Sequence, residues 1–300
     1  MTTPIRTHRP VHVLSLFDGM SCGRCALGPD IPLVYYSSEV CPDALSIAAK
    51  NHPSNIPLGD VRFWRGWDVD LSRIDLVLCG SPCQDISRAG KGAGLEDGER
   101  SSLFFVACEI LEEVKKKNPD VEFLFENVVP SKADLEVMSN TLGVQPVRVN
   151  SSLVSAQMRD RLYWSNFHFE PPEDKGVVLQ DILEPGYYAT RDKSYCIDAN
   201  YGKGTNFRRF FFCGSRTLVL EDGYTPGCMT KETANGVMHE EGNRWRKLTP
   251  LEVERLQTLP EGYTEGVSDG KRYKMLGNGW TVDVVKHILS QSNTIKGFRE

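Results

Sequence analysis

Cys83 closes the run Asp75-Leu-Val-Leu-Cys-Gly-Ser-Pro-Cys83, in which an apolar stretch stops abruptly at Gly80-Ser81-Pro82. The run reads as a buried strand that puts its next residue out at a carboxyl edge, where open α/β sheets keep their chemistry. Pro82 fixes its own φ and restricts Ser81, so the thiol is presented on a stiff turn. A thiolate held this way can attack an electrophile. By residue type alone a free cysteine is more often a packed core residue, so the reading needs partners. Glu126 is one, delivered with Asn127 and Val128 at the carboxyl end of the apolar run Val121 to Phe125. A third group is Gln157-Met-Arg159-Asp-Arg161, whose alternation puts three polar side chains on one face of a strand. Such a face needs solvent, a buried carboxylate or a phosphate beside it.

These groups require elements that bring them to one edge. Val11 to Phe17 is a short apolar strand, followed by the turn Asp18-Gly19-Met20-Ser21-Cys22-Gly23 and a helix-compatible piece to Leu27. Strand, glycine turn and helix form a nucleotide-type binding unit, because glycine lets a ligand approach the backbone closely. With only Gly19 and Gly23 the match to GxGxxG is poor, and a plain tight turn fits equally. Leu33 to Ser38 is a second strand ending at Glu39, an acid placed to accept hydrogen bonds from ribose hydroxyls, followed by a helix from Pro42 to Lys50. Gly59-Asp60-Val61 brings a second acid near the same edge. The stretch from Asp85 to Arg100 is rich in glycine and carries Arg88, Lys91 and Arg100, as an active-site loop would.

Further along, Ser101 to Lys117 has the pattern of an amphipathic helix capped by serine, and Ser131 to Leu142 of another; Val144 to Leu153 is strand-like. From 165 to 247 the chain becomes loop-rich and β-leaning, with Arg208, Arg209, Arg216, Arg244, Arg246 and Lys247 giving local positive charge. Thr249-Pro250 opens a helix with Glu252 at capping-box spacing, expected to run to Leu259. Tyr273 to Leu289 reads as a turn leading into a closing helix.

Composition bounds the answer. With 300 residues, 40% hydrophobic and 25% charged, the chain can bury a full core, and no apolar run approaches membrane-spanning length. The polar start, Met1 to Pro10, does not read as a secretory signal, so a cytoplasmic location is expected. Nine cysteines, odd in number and scattered, argue against a disulfide framework. Cys22 and Cys25 have CxxC spacing without a second pair or a histidine cluster, so no metal is expected. A net charge of −5 gives no global pull toward nucleic acid; any such binding must come from a local basic face.

Taken in order, Phe17-Asp-Gly-Met-Ser-Cys-Gly23, Glu39, Asp60-Val61, Ser81-Pro-Cys-Gln84, Glu126-Asn-Val128, Gln157-x-Arg159-x-Arg161, Leu248-Thr-Pro through Glu254-Arg-Leu-Gln257, and Leu276-Gly-Asn278-Gly resemble the cytosine-5 DNA methyltransferases. The likeness is to the compact enzymes of bacteria and phages, with some likeness to the mammalian de novo enzymes, and covers Val11 to Leu289. It implies a class I α/β fold, a Rossmann-like mixed, mostly parallel sheet flanked by helices. Residues 1–164 would bind cofactor and catalyse, 165–247 would form a small β-rich target-recognition insertion, and 248–300 would return to the catalytic domain.

The resemblance also implies chemistry. Cys83 would add to C6 of a cytosine flipped from duplex DNA, Glu126 would meet charge at N3, and Gln157, Arg159 and Arg161 would complete the catalytic group. S-adenosyl-L-methionine would be the methyl donor and S-adenosyl-L-homocysteine the product. Phe17 and Val61 would border its adenine, Asp60 the adenine amino group, Glu39 the ribose, and Asn278 with Trp280 the methionine end. Asp18, Gly19, Met20, Ser21, Val40, Gly80, Pro82 and Leu103 would fill out that site. Gln84, Ser87, Arg88, Lys91, Arg100, Arg208 and Arg209 would meet DNA. The turn departs from the commoner family form, having Ser21 and Cys22 where consecutive glycines usually stand. A monomer is expected, with a cognate restriction endonuclease as a possible partner in a bacterial or phage-infected cell. An RNA cytosine-5 methyltransferase and a non-catalytic DNA-binding homologue are the alternatives.

Overall fold

The computed structural model describes residues 9–82, 102–203, 216–221 and 245–298. They fall into two compact units, one made of 1–149, 160–171 and 284–300, the other of 150–159 and 172–283.

The first unit is built on strands β1 (Val11–Leu16), β2 (Leu33–Ser38), β3 (Ile56–Pro57), β4 (Leu76–Cys79), β5 (Glu122–Asn127), β6 (Val147–Asn150) and β7 (Asp160–Ser165). They form one sheet in the order β3-β2-β1-β4-β5-β7-β6. The pairs from β3 to β5 are parallel and β5 with β7 is antiparallel, giving the mixed, mostly parallel sheet expected from the sequence. Every residue of β1, β4 and β5 is buried, which is why these strands are mostly apolar on both faces rather than alternating. Helices α1 (Cys22–Leu27), α2 (Pro42–Asn51), α3 (Ser102–Lys117) and α4 (Lys132–Leu142) belong to the same unit. Phe104, Ala107, Ile110, Leu111 and Val114 of α3 pack with Val77, Phe123, Phe125 and Trp164 in one apolar core.

Two local devices hold the ends of this unit. Ser131 caps α4, accepting from Asp134 N. Glu122, buried at the start of β5, accepts from Ser292 Oγ, Asn293 N and Thr294 N, tying the last short helix, α8 (Asn293–Lys296), to the sheet.

The second unit carries strands β8 (Tyr187–Ala189), β9 (Leu218–Glu221) and β10 (Trp245–Lys247) in an antiparallel sheet of order β10-β9-β8. Helix α5 (Pro250–Leu256) has the expected capping box: Thr249 Oγ1 accepts from Glu252 N, and Glu252 returns a carboxylate oxygen to Thr249 N. Helix α6 (Asp269–Asn278) follows, and α7 (Val282–Leu289) carries the chain back to the first unit.

Several local expectations are corrected. Tyr273 to Asn278 is not a turn but the second half of α6, in which Tyr273, Met275, Leu276 and Gly277 are buried. Gly277 is there for close approach: a Cβ would lie 2.2 Å from the backbone carbon of Asp198. The helix opened by Thr249 stops at Leu256, before a turn in which Thr258 takes φ 53°. The strand expected up to Leu153 ends at Asn150 and continues as a 3-10 turn, Ser151–Leu153. Gln157 and Arg159 precede β7, so the three polar residues do not share one strand face. Residues 248–283 fall in the same compact unit as 172–247. No helix of the described residues is long and apolar enough to cross a membrane.

Candidate active site

Strand register defines the edge. Ser38, Leu16, Cys79 and Phe125 stand in one row across β2, β1, β4 and β5. The next residue along the chain, Glu39, Phe17, Gly80 and Glu126, therefore stands at the same carboxyl edge, the first three just past their strands and Glu126 still in β5 opposite Tyr163 of β7, with neighbouring strands about 4.8 Å apart. Four positions far apart in the chain are brought together by pairing alone.

At the β1 end the chain turns sharply. Phe17, Gly19 and Ser21 take φ of 56°, 57° and 65°, so left-handed residues alternate with Asp18 and Met20. Gly19 N donates to Glu39 Oε2 at 2.8 Å, while Val40 N and Cys41 N donate to Glu39 Oε1 at 2.8 and 2.7 Å. A carboxylate accepts about four hydrogen bonds, so Glu39 keeps capacity for a ligand hydroxyl after these three. Val40 beside it is 63% exposed, an apolar surface open to a ligand. The Asp18 carboxylate instead accepts from the hydroxyls of Ser15, Ser21 and Tyr35. Desolvation pushes its pKa up to about 6, against the lowering effect of those three donors. Met20 is buried.

Asp60 caps the 3-10 turn Val61–Gly66 and pairs with Arg62, whose side chain is 66% exposed. The hydrogen bonds from Arg62 lower the pKa of Asp60. An exposed pair of this kind is worth only ~0–1 kcal/mol, so an incoming amino group can compete for the carboxylate. Val61 is buried in the core and Leu103 packs half-buried against it, as does Phe17.

At the β4 and β5 ends lie the groups for chemistry. Arg161 Nε meets Glu126 Oε1 at 2.9 Å, with side chains 13% and 10% exposed. Arg161 Nη1 donates to the Asp160 carbonyl at 2.7 Å, which holds the guanidinium in place. Asn127 ties the two strand ends together: its Nδ2 donates to Ser81 Oγ at 3.1 Å and Ser81 O at 3.3 Å, and its Oδ1 accepts from Val128 N. The Gly80-Ser81-Pro82 turn is thus pinned to β5 beside Glu126. Burial pushes the Cys79 thiol well above its ordinary value and the Cys108 thiol up to about 12, so neither offers a thiolate. Cys83 lies outside the described residues, as do Gln84, Ser87, Arg88, Lys91, Arg100, Arg208 and Arg209.

Within the second unit, Arg159 donates to the carbonyls of Ile197, Gly277 and Gly279 at 3.1, 3.2 and 2.8 Å. Gln157, fully buried, accepts from Ile197 N at 2.8 Å and donates toward Leu256 O. Arg159 braces the backbone at the end of α6 and Gln157 braces Ile197 and the end of α5; of the two arginines it is Arg161 that pairs with Glu126. Asn278 is exposed at the last position of α6 and Trp280 is buried two residues on.

Asn127, Tyr35, Ser15 and Asn55 join the site only through tertiary hydrogen bonds. Ser15 had a signal: a hydroxyl inside the otherwise apolar strand Val11–Leu16 needs a buried partner. Asn127, a polar residue closing a buried strand, carried the same one.

The family model for C-5 cytosine-specific DNA methylases matches residues 11–143 and 151–293. Type II methyltransferase M.NlaX of Neisseria lactamica is 29% identical over 312 residues, covering 93% of this chain and 95% of that protein. Type II methyltransferase M.HhaI of Haemophilus parahaemolyticus is 26% identical over 324 residues, covering 95% of each. Among solved structures, the Entamoeba histolytica methyltransferase EhMeth superposes with a TM-score of 0.70 at 14% identity, over 98% of this chain and all of that one. A Spodoptera frugiperda DNMT2 mutant gives 0.64 at 19%, over 97% of this chain and all of that one; both likenesses bear on the fold. With the family model running through both units, from the β1 turn to the last helices, the chain belongs to the C-5 cytosine-specific DNA methylase family and is a DNA (cytosine-5)-methyltransferase.

Proposed function

We propose that the chain methylates C5 of a cytosine flipped out of duplex DNA, with Cys83 as nucleophile and Glu126 as the acid facing the ring. The observation that supports this most is the shared row of strand ends: it sets the Glu39 and Phe17 edge beside the Gly80-Ser81-Pro82 turn and the Glu126–Arg161 pair.

Cytosine C5 does not attack a methyl donor unaided. A Cys83 thiolate forming a bond to C6 pushes the ring electrons toward C5 and N3, dividing one hard step into easier ones. Glu126, as carboxylic acid, donates its proton toward N3 and so meets the charge that develops there. Arg161 holds the Glu126 carboxyl in position, and Asn127 holds the turn that leads to Cys83. After transfer, loss of the C5 proton lets the C6–sulfur bond break, and the electron pair returns to Cys83 as thiolate. Arg159 acts at a distance by bracing the backbone around Gly277 and Gly279, and Gln157 by bracing Ile197 and the end of α5.

S-adenosyl-L-methionine, when bound, supplies an electrophilic sulfonium methyl. Residues of the first unit fit that group: Glu39 has spare accepting capacity for ribose, and the exposed face of Val40 suits an adenine. Asp60 with its displaceable partner suits the adenine amino group. Asn278 and Trp280 are assigned to the methionine end on the family pattern.

Target reading falls to 165–247, phosphate contact to Arg88, Lys91, Arg100, Arg208 and Arg209, and the setting to the cytoplasm beside a cognate restriction endonuclease. Purified chain given cofactor labelled in the methyl group, with duplex DNA or transfer RNA as acceptor, tests the reading. Label at C5 of cytosine in DNA is expected; label in RNA alone, or none, overturns it.

A further inference from the structure

Ser21 stands at a left-handed position, φ 65° and ψ 41°, immediately before α1. Glycine adopts that conformation freely, whereas a residue with a Cβ is disfavoured there unless its surroundings hold it. The surroundings converge on one carboxylate. Asp18 Oδ1 accepts from Ser15 Oγ at 2.6 Å on β1 and from Tyr35 OH at 2.7 Å on β2. Its other oxygen, Oδ2, accepts from Ser21 Oγ at 2.5 Å. Ser21 Oγ in turn accepts from Asn55 Nδ2 at 3.0 Å, just ahead of β3, and Ser21 N donates to Asp18 O at 3.0 Å. Two hydroxyls from the sheet therefore anchor the carboxylate, and its free oxygen grips the left-handed serine.

We propose that Asp18 is a positioning residue that does for Ser21 what a glycine would do by itself, holding the turn in its left-handed form so that Gly19 and Phe17 face the cofactor. Its carboxylate shapes the site through Ser21 and makes no contact with the cofactor. The proposal rests on reading this turn as the S-adenosyl-L-methionine site.

The bonding pattern says which change breaks the device. In Asp18→Asn, Oδ1 still accepts from Ser15 and Tyr35, but an amide N–H now faces Ser21 Oγ, whose second lone pair can accept it while the first accepts from Asn55. The Ser21 proton is turned away from position 18, and the charge-assisted hold on the left-handed conformation is replaced by a weaker neutral contact. Protonation of Asp18 acts alike. The groups facing the carboxyl are the Ser15, Ser21 and Tyr35 hydroxyls and, electrostatically, Glu39 at the end of β2.

The test is calorimetric binding of S-adenosyl-L-homocysteine to the full chain as wild type, Asp18→Asn, Ser21→Gly, and the double variant. Asp18→Asn is expected to weaken binding about tenfold or more, the size of one strained residue. Adding Ser21→Gly restores affinity to within about threefold, because glycine needs no clamp. Wild-type affinity falls between pH 7 and pH 5 more steeply than that of the double variant. A role confined to stability predicts neither the rescue nor the pH difference. Asp18→Asn binding within twofold of wild type, or a glycine that fails to rescue, overturns the proposal. Should Asp18→Asn not fold, Tyr35→Phe with and without Ser21→Gly decides on the same criterion. A wild-type chain that binds no S-adenosyl-L-homocysteine overturns the cofactor reading itself, whereas normal binding with indifferent variants overturns the clamp alone.

Discussion

Arg161 should matter to methyl transfer only through Glu126, and a double-mutant cycle of Arg161→Ala and Glu126→Gln measures that dependence. The two side chains are 13% and 10% exposed and joined by one charged contact of 2.9 Å. A hydrogen bond to a charged group contributes roughly 1.5–3 kcal/mol, so positioning of the acid is worth about 10- to 150-fold in rate. General acid catalysis itself contributes about 10²–10⁴-fold, so Glu126→Gln should be the slower single variant. In the Glu126→Gln background, removing Arg161 should cost less than about threefold more, giving a coupling energy of ~1–3 kcal/mol. The assay is single-turnover transfer of labelled methyl to a duplex at saturating protein, which separates chemistry from DNA binding and product release. Breaking a buried pair also destabilises the fold by about 3–5 kcal/mol, so urea midpoints must show every variant folded at the assay temperature. Rate losses that add within ~0.5 kcal/mol would refute the argument, because Arg161 would then act on something other than Glu126. Arg161→Lys should not rescue. One ammonium cannot reproduce the planar fork that donates to the Asp160 carbonyl while pairing with Glu126.

Three further outcomes are expected. Cys83→Ser should abolish labelled transfer while leaving duplex binding in a gel-shift assay within about threefold, since alkoxide formation at neutral pH is far harder than thiolate formation. Asn127→Ala strands Ser81 of its buried partner; it should lower the unfolding free energy by ~1–3 kcal/mol in urea and slow transfer by loosening the turn before Cys83. Gly277→Ala puts a methyl against the Asp198 backbone and should lower the unfolding free energy in urea by ~1–3 kcal/mol; an unchanged midpoint would refute the close approach.

The sequence determined a good deal about this protein because its central strands are buried on both sides. Leu76–Cys79 reads as an unbroken apolar run, Val11–Leu16 as one interrupted at His12 and Ser15, and Glu122–Asn127 as one with an apolar centre from Phe123 to Phe125, and polar residues follow each. The order of those strand ends, with Glu39, Glu126 and the Gly80-Ser81-Pro82 turn, pointed to one edge of an α/β sheet, and the family resemblance they carry implied the fold class. Capping chemistry was equally legible, as Thr249 with Glu252 shows, because it depends on neighbours in the chain.

Only the tertiary structure decided what depends on partners distant in sequence. That Arg161 rather than Arg159 meets Glu126 follows from where β7 begins, a matter of antiparallel register with β5 that no local spacing encodes. That position 277 must be glycine follows from the backbone of Asp198 lying against it. The Asp18 clamp joins residues from Ser15 to Asn55 through hydroxyls that carry no periodic signal, since a hydrogen bond is set by direction and distance in space rather than by hydrophobic pattern.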